Sequence, residues 1–390
     1  MARILCVWEM GSALGHLANL RPFIEAASRA GHEVTLAAKE LQNVDAVLPG
    51  VPLVLFQSPY FHRQPQPRYP RLMSYSQLIL QRFESPSELG ILCRAWEGIF
   101  NAVGPDLVIY DFAPSAMIAS LGQPWRKWLV GSGFLVPRTD LPYLGLFPGV
   151  AKTPDNDRQL RDGEQRLLAL VNGQLAQRGL GPLADVREII NQADHQLLLT
   201  LPELDHGGPR GDAEYLGIPP QLSGQPVHWP EGGQCRVFAY LSAFPGMDNL
   251  LSALSREPYS TVVYSRAIAP GTRARFPAIR FLDSPVDMGL VTREADLVVN
   301  MAGHTTCAQC LMAGVPQLMI PLRQEQVFLA RRIAGQGAGV MLTRDGDIAS
   351  ALEGARRLAA GGRPPFDPAR RAALEGVALM ERLAALFTAL

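Results

Sequence analysis

The chain of 390 residues is 47% hydrophobic, and its 36 acidic and 36 basic residues balance to a formal net charge of +0. This length exceeds what one hydrophobic core usually organises, so we expect two domains. A neutral chain has no overall field that would attract nucleic acid, so we expect no nucleic-acid partner and expect any charged ligand to be bound locally.

The N-terminal part predicts alternating strands and helices. Residues 3–8 form a short apolar run typical of a buried strand, and the following segment keeps apolar residues on one helical face up to Gly31, a residue type that commonly ends helices. Residues 32–38 alternate as a second strand. Further strands are predicted at 106–110 and 197–201, with a helix through 117–121 between them. Successive strand, helix and strand units build parallel sheets, so this half is α/β.

Residues 203–233 are rich in Gly and Pro and lack a sustained period, which is typical of a linker between domains. A second α/β series follows, with strands predicted at 237–241, 261–264, 296–301 and 317–320. The sequence thus predicts an N-terminal domain (1–205), a linker (206–232), a C-terminal domain (233–366) and one amphipathic helix (367–390). Whether that helix crosses back to the N-terminal domain stays open.

Residues 57–75 combine prolines, aromatic residues and arginines in one irregular stretch. Such a stretch is either a long surface loop or a loop that binds an acceptor or touches a membrane. No stretch approaches the roughly 18 apolar residues of a membrane-spanning helix, and the five cysteines are sparse, so we expect reduced thiols and a cytoplasmic protein. Peripheral contact with a membrane stays open.

Residues 300–310, NMAGHTTCAQC, connect a predicted strand to a predicted helix over 306–313. Ligands bind at such turns in parallel sheets, and the free N–H groups of 305–307 and the helix dipole favour an anion. Gly303 permits close approach of the backbone, and the hydroxyls of Thr305 and Thr306 add donors. We therefore expect a diphosphate at this turn.

The pair Cys307 and Cys310 has the spacing of a zinc or redox site. A zinc site needs four ligands, and His304 is the one nearby addition, so the set is incomplete. A redox pair of the thioredoxin kind lies at the first turn of a helix after the first strands of a small domain. These cysteines follow a late strand, so we favour two small buried residues that pack a helix on its sheet.

The run over residues 295–340 resembles the donor-binding signature of family 1 glycosyltransferases with the GT-B fold, of the bacterial, UDP-glycosyltransferase-like or macrolide type. Besides the turn, the segments AGVPQLMIP and GAGV and the Glu325-Gln326 pair match. The N-terminal segments GHLANLRPFIEAASRAGHEVTLA and PDLVIYD resemble the same family. The resemblance implies two Rossmann-like, doubly wound domains that face each other across a cleft, an N-terminal acceptor domain and a C-terminal donor domain.

The resemblance also implies an inverting, hexosyltransferase-type reaction that uses a nucleotide-diphosphate sugar as co-substrate, with no metal and no cofactor. His16 matches the general base of the family, and Asp111 matches the carboxylate that orients it. An alcohol is a poor nucleophile at pH 7, and imidazole titrates near that pH, so it can accept the proton as the bond forms. The carboxylate fixes the ring tautomer that leaves the other nitrogen free to accept.

Several positions depart from the family pattern. The usual His-Gly-Gly turn corresponds to 301–303, where Met301 replaces the histidine that contacts the diphosphate. His304 is a candidate substitute donor. A glutamate that holds the ribose hydroxyls corresponds to Gln309, which can accept a hydrogen bond without charge assistance.

The aspartate that grips the sugar in this family corresponds to Glu325, while Gln326 is retained. The resemblance places Ser242 near the phosphates and Val286, in the turn over 284–286, near the base. These assignments complete a predicted donor site that contains no cluster of carboxylates for a metal.

Apolar and aromatic residues over 53–83 and 134–147 favour a hydrophobic acceptor, either a small molecule or a lipid, although the same residues could be core. Two other hypotheses stay open. The altered donor turn suggests a non-catalytic GT-B protein that binds a nucleotide sugar or a partner enzyme. A nucleotide-sugar epimerase or hydrolase on the same fold would need acidic residues near the anomeric carbon, where Glu325 is the one candidate.

Overall fold

The computed structural model describes residues 1–11, 15–62, 69, 71–83, 85–220, 224–343, 346–362 and 366–390. The folded chain divides into two compact units. Unit 1 comprises Met1–Leu199, Pro209–Pro219 and Val377–Leu390, and unit 2 comprises Thr200–Gly208 and Pro220–Gly376. The domain boundaries expected from the sequence, with their acceptor and donor roles, stay a prediction.

The strands are β1 (Arg3–Trp8), β2 (Glu33–Ala38), β3 (Val54–Gln57), β4 (Leu107–Asp111), β5 (Arg126–Gly131), β6 (His195–Leu198), β7 (Glu214–Tyr215), β8 (Cys235–Tyr240), β9 (Tyr259–Tyr264), β10 (Arg280–Leu282), β11 (Leu297–Asn300), β12 (Gln317–Met319) and β13 (Gly339–Met341).

The helices are α1 (Gly15–Arg29), α2 (Val44–Val47), α3 (Tyr75–Ile79), α4 (Pro86–Val103), α5 (Pro114–Ala119), α6 (Pro154–Gln177), α7 (Glu188–Asn191), α8 (Met247–Leu254), α9 (Pro270–Arg273), α10 (Met288–Glu294), α11 (His304–Met312), α12 (Gln324–Gly335), α13 (Ile348–Ala360), α14 (Pro368–Leu374) and α15 (Gly376–Thr388), with a 3-10 turn at Pro202–Leu204.

The sheet of unit 1 is parallel and has the strand order β3-β2-β1-β4-β5-β6-β7. Five residues of β1 and all five of β4 are buried, as expected for central strands covered on both faces. Helix α1 buries Leu17, Leu20 and Phe23 and ends before Gly31, which adopts a φ of 79°. The expected C-terminal glycine is therefore in the left-handed conformation that a β-carbon disfavours.

The sheet of unit 2 is also parallel, with the order β10-β9-β8-β11-β12-β13. Val237, Val299 and Leu318 lie in one buried cluster, and Phe238, Val262 and Val298 lie in a second. The alternation of neighbouring residues between two cores shows that helices cover both faces of this sheet. The predicted doubly wound α/β class is confirmed for each unit.

The C-terminal segment forms two helices, so the prediction of one helix over 367–390 is wrong in this respect. Glu375, between α14 and α15, has an extended backbone with φ −81° and ψ 161°. Helix α15 packs within unit 1, where the ring of Phe387 lies 5.2 Å from that of Trp128. The Ala2 N–H donates to His32 Nδ1, so His32 Nε2 donates to the carbonyl of Phe387 at 3.0 Å.

The irregular stretch predicted over 57–75 falls partly outside the described residues, which omit 63–68 and 70. Its described ends are β3 and α3. None of the helices in the described part of the chain is long and apolar enough to cross a membrane.

Candidate functional sites

Each sheet reverses its strand order once, between β1 and β4 in unit 1 and between β8 and β11 in unit 2. Open parallel sheets bind ligands beyond the carboxyl ends of the strands at such a reversal. His16 follows β1 and Asp111 ends β4, whereas Ser242 follows β8 and the turn over 301–303 follows β11. The sequence candidates therefore lie at the two positions where the fold favours ligand binding.

The structure brings His16 and Asp111 together. His16 Nδ1 lies 3.2 Å from Asp111 Oδ2, and the side chains are 12% and 0% exposed. The amide of Asn19, one turn further along α1, lies 3.5 Å from the same oxygen. With the proton on Nδ1, His16 keeps a lone pair on Nε2, which is the state that a general base requires.

Two aromatic rings stack on the imidazole of His16. The Trp8 ring stacks on it with centroids 5.0 Å apart, and the Phe112 ring stacks at 6.0 Å, both with interplanar angles of 19°. Phe112 adopts a φ of 48°, a conformation unusual for a residue with a β-carbon, and its carbonyl accepts from the Met10 N–H. Backbone strain of this kind concentrates at functional sites.

Gly11 forms the surface under the free nitrogen of His16. A β-carbon at Gly11 would lie 2.1 Å from His16 Nε2, and the φ of Gly11 is 82°. Lys39 Nζ donates to the Gly11 carbonyl at 2.5 Å and holds this segment against the sheet edge. Only glycine satisfies both the conformation and the close approach.

Burial raises the pKa of Asp111, while the His16 ring and the Asn19 amide act in the opposite direction. Asp111 Oδ1 is buried and makes no hydrogen bond within the described residues. A buried carboxyl group binds a proton more readily than an exposed aspartate does. The contact with His16 is the main interaction that favours the ionised form of Asp111.

Glu9 is a further charged residue at this sheet edge, and sequence reasoning missed it. It is 1% exposed, forms an ion pair with Arg82 at 2.9 Å, and accepts from the Ser115 hydroxyl at 2.7 Å and from the Ser115 and Ala116 amides at 3.1 Å. These contacts fix the start of α5 beside Asp111. An acidic residue directly after an apolar strand was the available signal.

In unit 2, the turn between β11 and α11 is held by a buried carboxamide. Asn300 Oδ1 accepts from the Ala302 N–H at 2.7 Å, and Ala302 has a φ of 55°. Met301 is 8% exposed and belongs to the core, so its thioether contributes packing. Gly303 is exposed and serves as the N-cap of α11 with no side-chain cap.

Three backbone N–H groups at the start of α11 make no hydrogen bond within the described residues: those of His304, Thr305 and Thr306. The Cys307 N–H donates to the Gly303 carbonyl at 2.9 Å. The free set is therefore one residue earlier than the expected 305–307, because the helix begins at His304 and not at Thr306. Anion binding by these three N–H groups stays a prediction.

His304 is held by residues that the sequence placed outside the C-terminal domain, one in the predicted N-terminal domain and one in the predicted linker. Its Nε2 lies 2.7 Å from Thr200 Oγ1, and its ring stacks on that of His206 at 5.8 Å. Burial lowers the pKa of His304 to about 4, although Asp205 opposes this change. The ring is therefore neutral at pH 7, and any contact it makes with a diphosphate is a hydrogen bond without charge. Nothing in the local sequence indicated Thr200.

Gln309 is 7% exposed, and its side chain makes no hydrogen bond within the described residues. Glu325 lies in the first turn of α12, where the helix dipole favours a carboxylate, and it has no hydrogen-bond partner among the described residues. Gln326 Oε1 accepts from the N–H groups of Leu322 and Arg323 at 2.8 and 3.0 Å. That oxygen is committed to the turn before α12.

Ser242 is exposed in the loop after β8. Val286 is 7% exposed and forms a parallel bridge with Gln225, in which the Gln225 N–H donates to Pro285 and the Asp287 N–H donates to Gln225, both at 3.0 Å. The N–H and C=O of Val286 itself make no hydrogen bond within the described residues. This edge offers one donor and one acceptor to a planar ligand.

Cys307 and Cys310 are buried free thiols, and burial raises the pKa of both, that of Cys310 to about 12. Such thiols are poor nucleophiles. The described residues contain no group of three or more His, Cys, Asp or Glu side chains that could hold a metal ion. The expectation of metal-free chemistry stays a prediction.

Much of the apolar segment over 134–147 belongs to the core of unit 1. Leu135, Val136, Leu144 and Phe147 are at most 9% exposed, and the rings of Phe134 and Phe147 stack at 5.4 Å. These residues fit the core alternative that the sequence left open, and the acceptor stays a prediction.

Comparison with known proteins identifies the architecture. Residues 272–357 match the model of the glycosyltransferase family 28 C-terminal domain, a range that includes Val286, the turn over 301–303 and Glu325. The calicheamicin glycosyltransferase CalG4 has a TM-score of 0.65 at 18% identity, with 99% of this chain and 94% of CalG4 covered. The glycotransferase of kitacinnamycin has a TM-score of 0.64 at 17% identity, covering 98% and 95% of the two chains.

This chain has the GT-B fold. The spinosyn rhamnosyltransferase SpnG is a further GT-B neighbour, with a TM-score of 0.59 at 19% identity and coverage of 100% of this chain and 96% of SpnG. No curated protein matches the chain. The resemblance to GT-B glycosyltransferases predicted from the sequence is confirmed, and the roles of the individual site residues stay predictions.

Proposed function

We propose that this GT-B protein is an inverting glycosyltransferase that moves a sugar from a nucleotide-diphosphate sugar to a hydroxyl group of a hydrophobic small molecule. One observation carries the proposal. The free amides of α11 and the free backbone edge of Val286 both lie within the range 272–357, which matches a glycosyltransferase family. Unit 2 binds the donor, and unit 1 binds the acceptor and removes its proton.

Donor binding rests on backbone groups. The N–H groups of His304, Thr305 and Thr306 and the dipole of α11 receive the diphosphate, and the threonine hydroxyls add donors. The N–H and C=O of Val286 pair with the edge of the base, and Ser242 lies near the phosphates. Glu325 and Gln326 hold the sugar, and Gln309 accepts from the ribose. The leaving diphosphate is stabilised by these fixed dipoles without a metal.

Acceptor activation rests on His16. Its Nε2 takes the proton from the acceptor hydroxyl as the oxygen attacks the anomeric carbon, and the bond to the diphosphate breaks on the opposite face. Asp111, 3.2 Å from Nδ1, stabilises the imidazolium that forms. The rings of Trp8 and Phe112 keep the imidazole in one plane.

The neighbours support a nucleotide donor and an aglycone acceptor. SpnG has been crystallised with thymidine diphosphate and with spinosyn aglycone. We therefore propose a natural-product aglycone as the acceptor class and place thymidine diphosphate first among the nucleotides to be tested. A cytoplasmic location is part of the same proposal.

A second candidate is a non-catalytic GT-B protein that binds a nucleotide sugar or a partner enzyme. It is favoured by Met301, which lies in the core, and by His304, which is docked on Thr200. The contact between His16 and Asp111 favours the enzyme, since a binding protein has no need of an oriented base.

Calorimetric titration of the full chain with thymidine diphosphate, UDP and GDP tests the donor site. We expect micromolar binding of one nucleotide, and about tenfold weaker binding for Thr305→Val, which removes one hydroxyl donor. Thr388→Val, at the exposed end of α15, is the matched control and should bind as the wild type does. No binding at millimolar concentration would contradict the enzyme and favour the form of the second candidate that binds a partner enzyme.

A further inference from the structure

We propose that Asn300 is the positioning residue of the turn before α11: its carboxamide holds the peptide between Met301 and Ala302 and, through Gln317, the carbonyl of Cys307, and so orients the free amides of α11. This inference rests on the proposed function for its ligand. The conformation itself is a property of the folded chain and is measurable without any ligand.

The turn before α11 has a strained backbone. Ala302 has a φ of 55°, which residues other than glycine rarely adopt. The hydrogen bond from the Ala302 N–H to Asn300 Oδ1, at 2.7 Å, closes a short ring across the turn. That ring fixes the orientation of the peptide that precedes Ala302, from which the backbone turns into α11.

Asn300 is itself held in place by a closed polar network. Its Nδ2 donates to Gln317 Oε1 at 3.0 Å, and Gln317 Nε2 donates to the Cys307 carbonyl at 3.2 Å. The Cys307 thiol lies 3.5 Å from Asn300 Oδ1. Asn300 and Gln317 are 1% and 0% exposed, so the network is shielded from water and is strong for that reason.

The network connects the strand end to the helix start. Asn300 ends β11, Gln317 begins β12, and Cys307 is the first residue of α11 whose N–H is bonded within the turn. The three free N–H groups lie between these fixed points. Their directions therefore depend on Asn300, although its side chain is buried and does not face the ligand.

The network also gives Cys307 a role that its spacing from Cys310 did not indicate. Its carbonyl and thiol both contact the clamp formed by Asn300 and Gln317. The pairing explains why a polar residue ends an otherwise apolar strand at this point, because a valine there would leave the Ala302 N–H without a partner.

The test is a double-mutant cycle with Asn300→Ala, Gln317→Ala and the double variant. Binding is measured with thymidine diphosphate and with inorganic pyrophosphate, and backbone hydrogen exchange over 300–307 is measured without ligand. We expect Asn300→Ala to weaken binding of both probes about tenfold in the wild-type background and less than threefold in the Gln317→Ala background, because the clamp is already broken there.

Asn172→Ala is the matched control. Asn172 in unit 1 also uses both ends of its carboxamide, on the carbonyl and N–H of Leu183 at 3.0 and 2.8 Å. It should lower stability and leave binding unchanged. Equal effects of Asn300→Ala in both backgrounds would overturn the clamp, since they would show a merely structural role.

Hydrogen exchange separates this inference from the proposed function. If the wild type binds neither probe, the proposed function fails, but hydrogen exchange still tests whether the clamp orders the turn. The amides over 301–307 should exchange slowly in the wild type and faster in Asn300→Ala. Should Asn300→Ala not fold, Asn300→Asp keeps an acceptor oxygen of the same reach and should retain slow exchange of the Ala302 amide. Fast exchange in Asn300→Asp, or unchanged exchange in Asn300→Ala, would refute the clamp.

Discussion

Replacing Gly11 with alanine should displace the proposed general base without unfolding the chain. The added β-carbon would lie 2.1 Å from His16 Nε2 and 3.0 Å from Cε1, whereas ordinary van der Waals contact begins at 3.4 Å. The ring nitrogen must therefore move by about 1.3 Å, and a displacement of about 1 Å at a reacting group costs roughly 100-fold in rate. The φ of 82° adds about 1–2 kcal/mol of backbone strain.

Gly31→Ala separates these two effects. Gly31 has a φ of 79°, nearly that of Gly11, but no atom lies within 4 Å of its added β-carbon. Both variants should lose about 1–2 kcal/mol of unfolding free energy, measured by denaturant titration, and only Gly11→Ala should lose transfer activity. The assay is nucleoside diphosphate release from a thymidine-diphosphate sugar with an aglycone panel. Equal rates for the two variants would refute the placement of His16 Nε2 as the reacting nitrogen.

Three further outcomes follow from the geometry. Asp111→Asn keeps the size of the side chain but removes its negative charge and replaces one acceptor oxygen by an NH2 donor, so the tautomer of His16 is no longer fixed and kcat should fall roughly 10³-fold or more with nucleotide affinity unchanged. Because burial lowers the pKa of His304 from 6.5 to about 4, the unfolded chain binds its proton first, and stability should fall by at most about 3 kcal/mol as pH drops from 6.5 to 4. His304→Gln should flatten that fall in a pH series of denaturant titrations; an identical fall would contradict the burial of the ring. Incubation with EDTA should leave transfer unchanged, and loss of activity that Mg²⁺ restores would contradict a metal-free diphosphate site.

The strands, and the turn that follows one of them, could be predicted from the sequence because the hydrophobic pattern of a strand is a local feature. Apolar runs at 3–8 and 296–301 correspond to β1 and β11, and the residues after them carry the site. The pairing of His16 and Asp111, 95 positions apart, was implied by the resemblance to the glycosyltransferase family, and the carboxyl ends of parallel strands, which meet at one edge, allow it. The helix start was misplaced by two residues, since His304 is a weak helix former and the backbone of Gly303 alone caps the helix.

Other features had no local signal. The contact of Thr200 with His304 spans 104 positions and joins residues that fell on opposite sides of the expected domain boundary. The left-handed conformation of Ala302 was not predictable, because alanine rarely adopts it. The break at Glu375 was hidden because the apolar spacing continues through it.

The anomeric configuration of the product shows directly whether the enzyme inverts the sugar. The wild type and His16→Ala would be incubated with a thymidine-diphosphate sugar and a panel of polyketide and aromatic aglycones, and products would be examined by NMR. We expect the wild type to form a glycoside whose anomeric configuration is opposite to that of the donor. The rate of transfer should be at least 100-fold lower in His16→Ala. Retained configuration would contradict the inverting mechanism, and an unchanged rate of transfer in His16→Ala would contradict the role of His16 as the base.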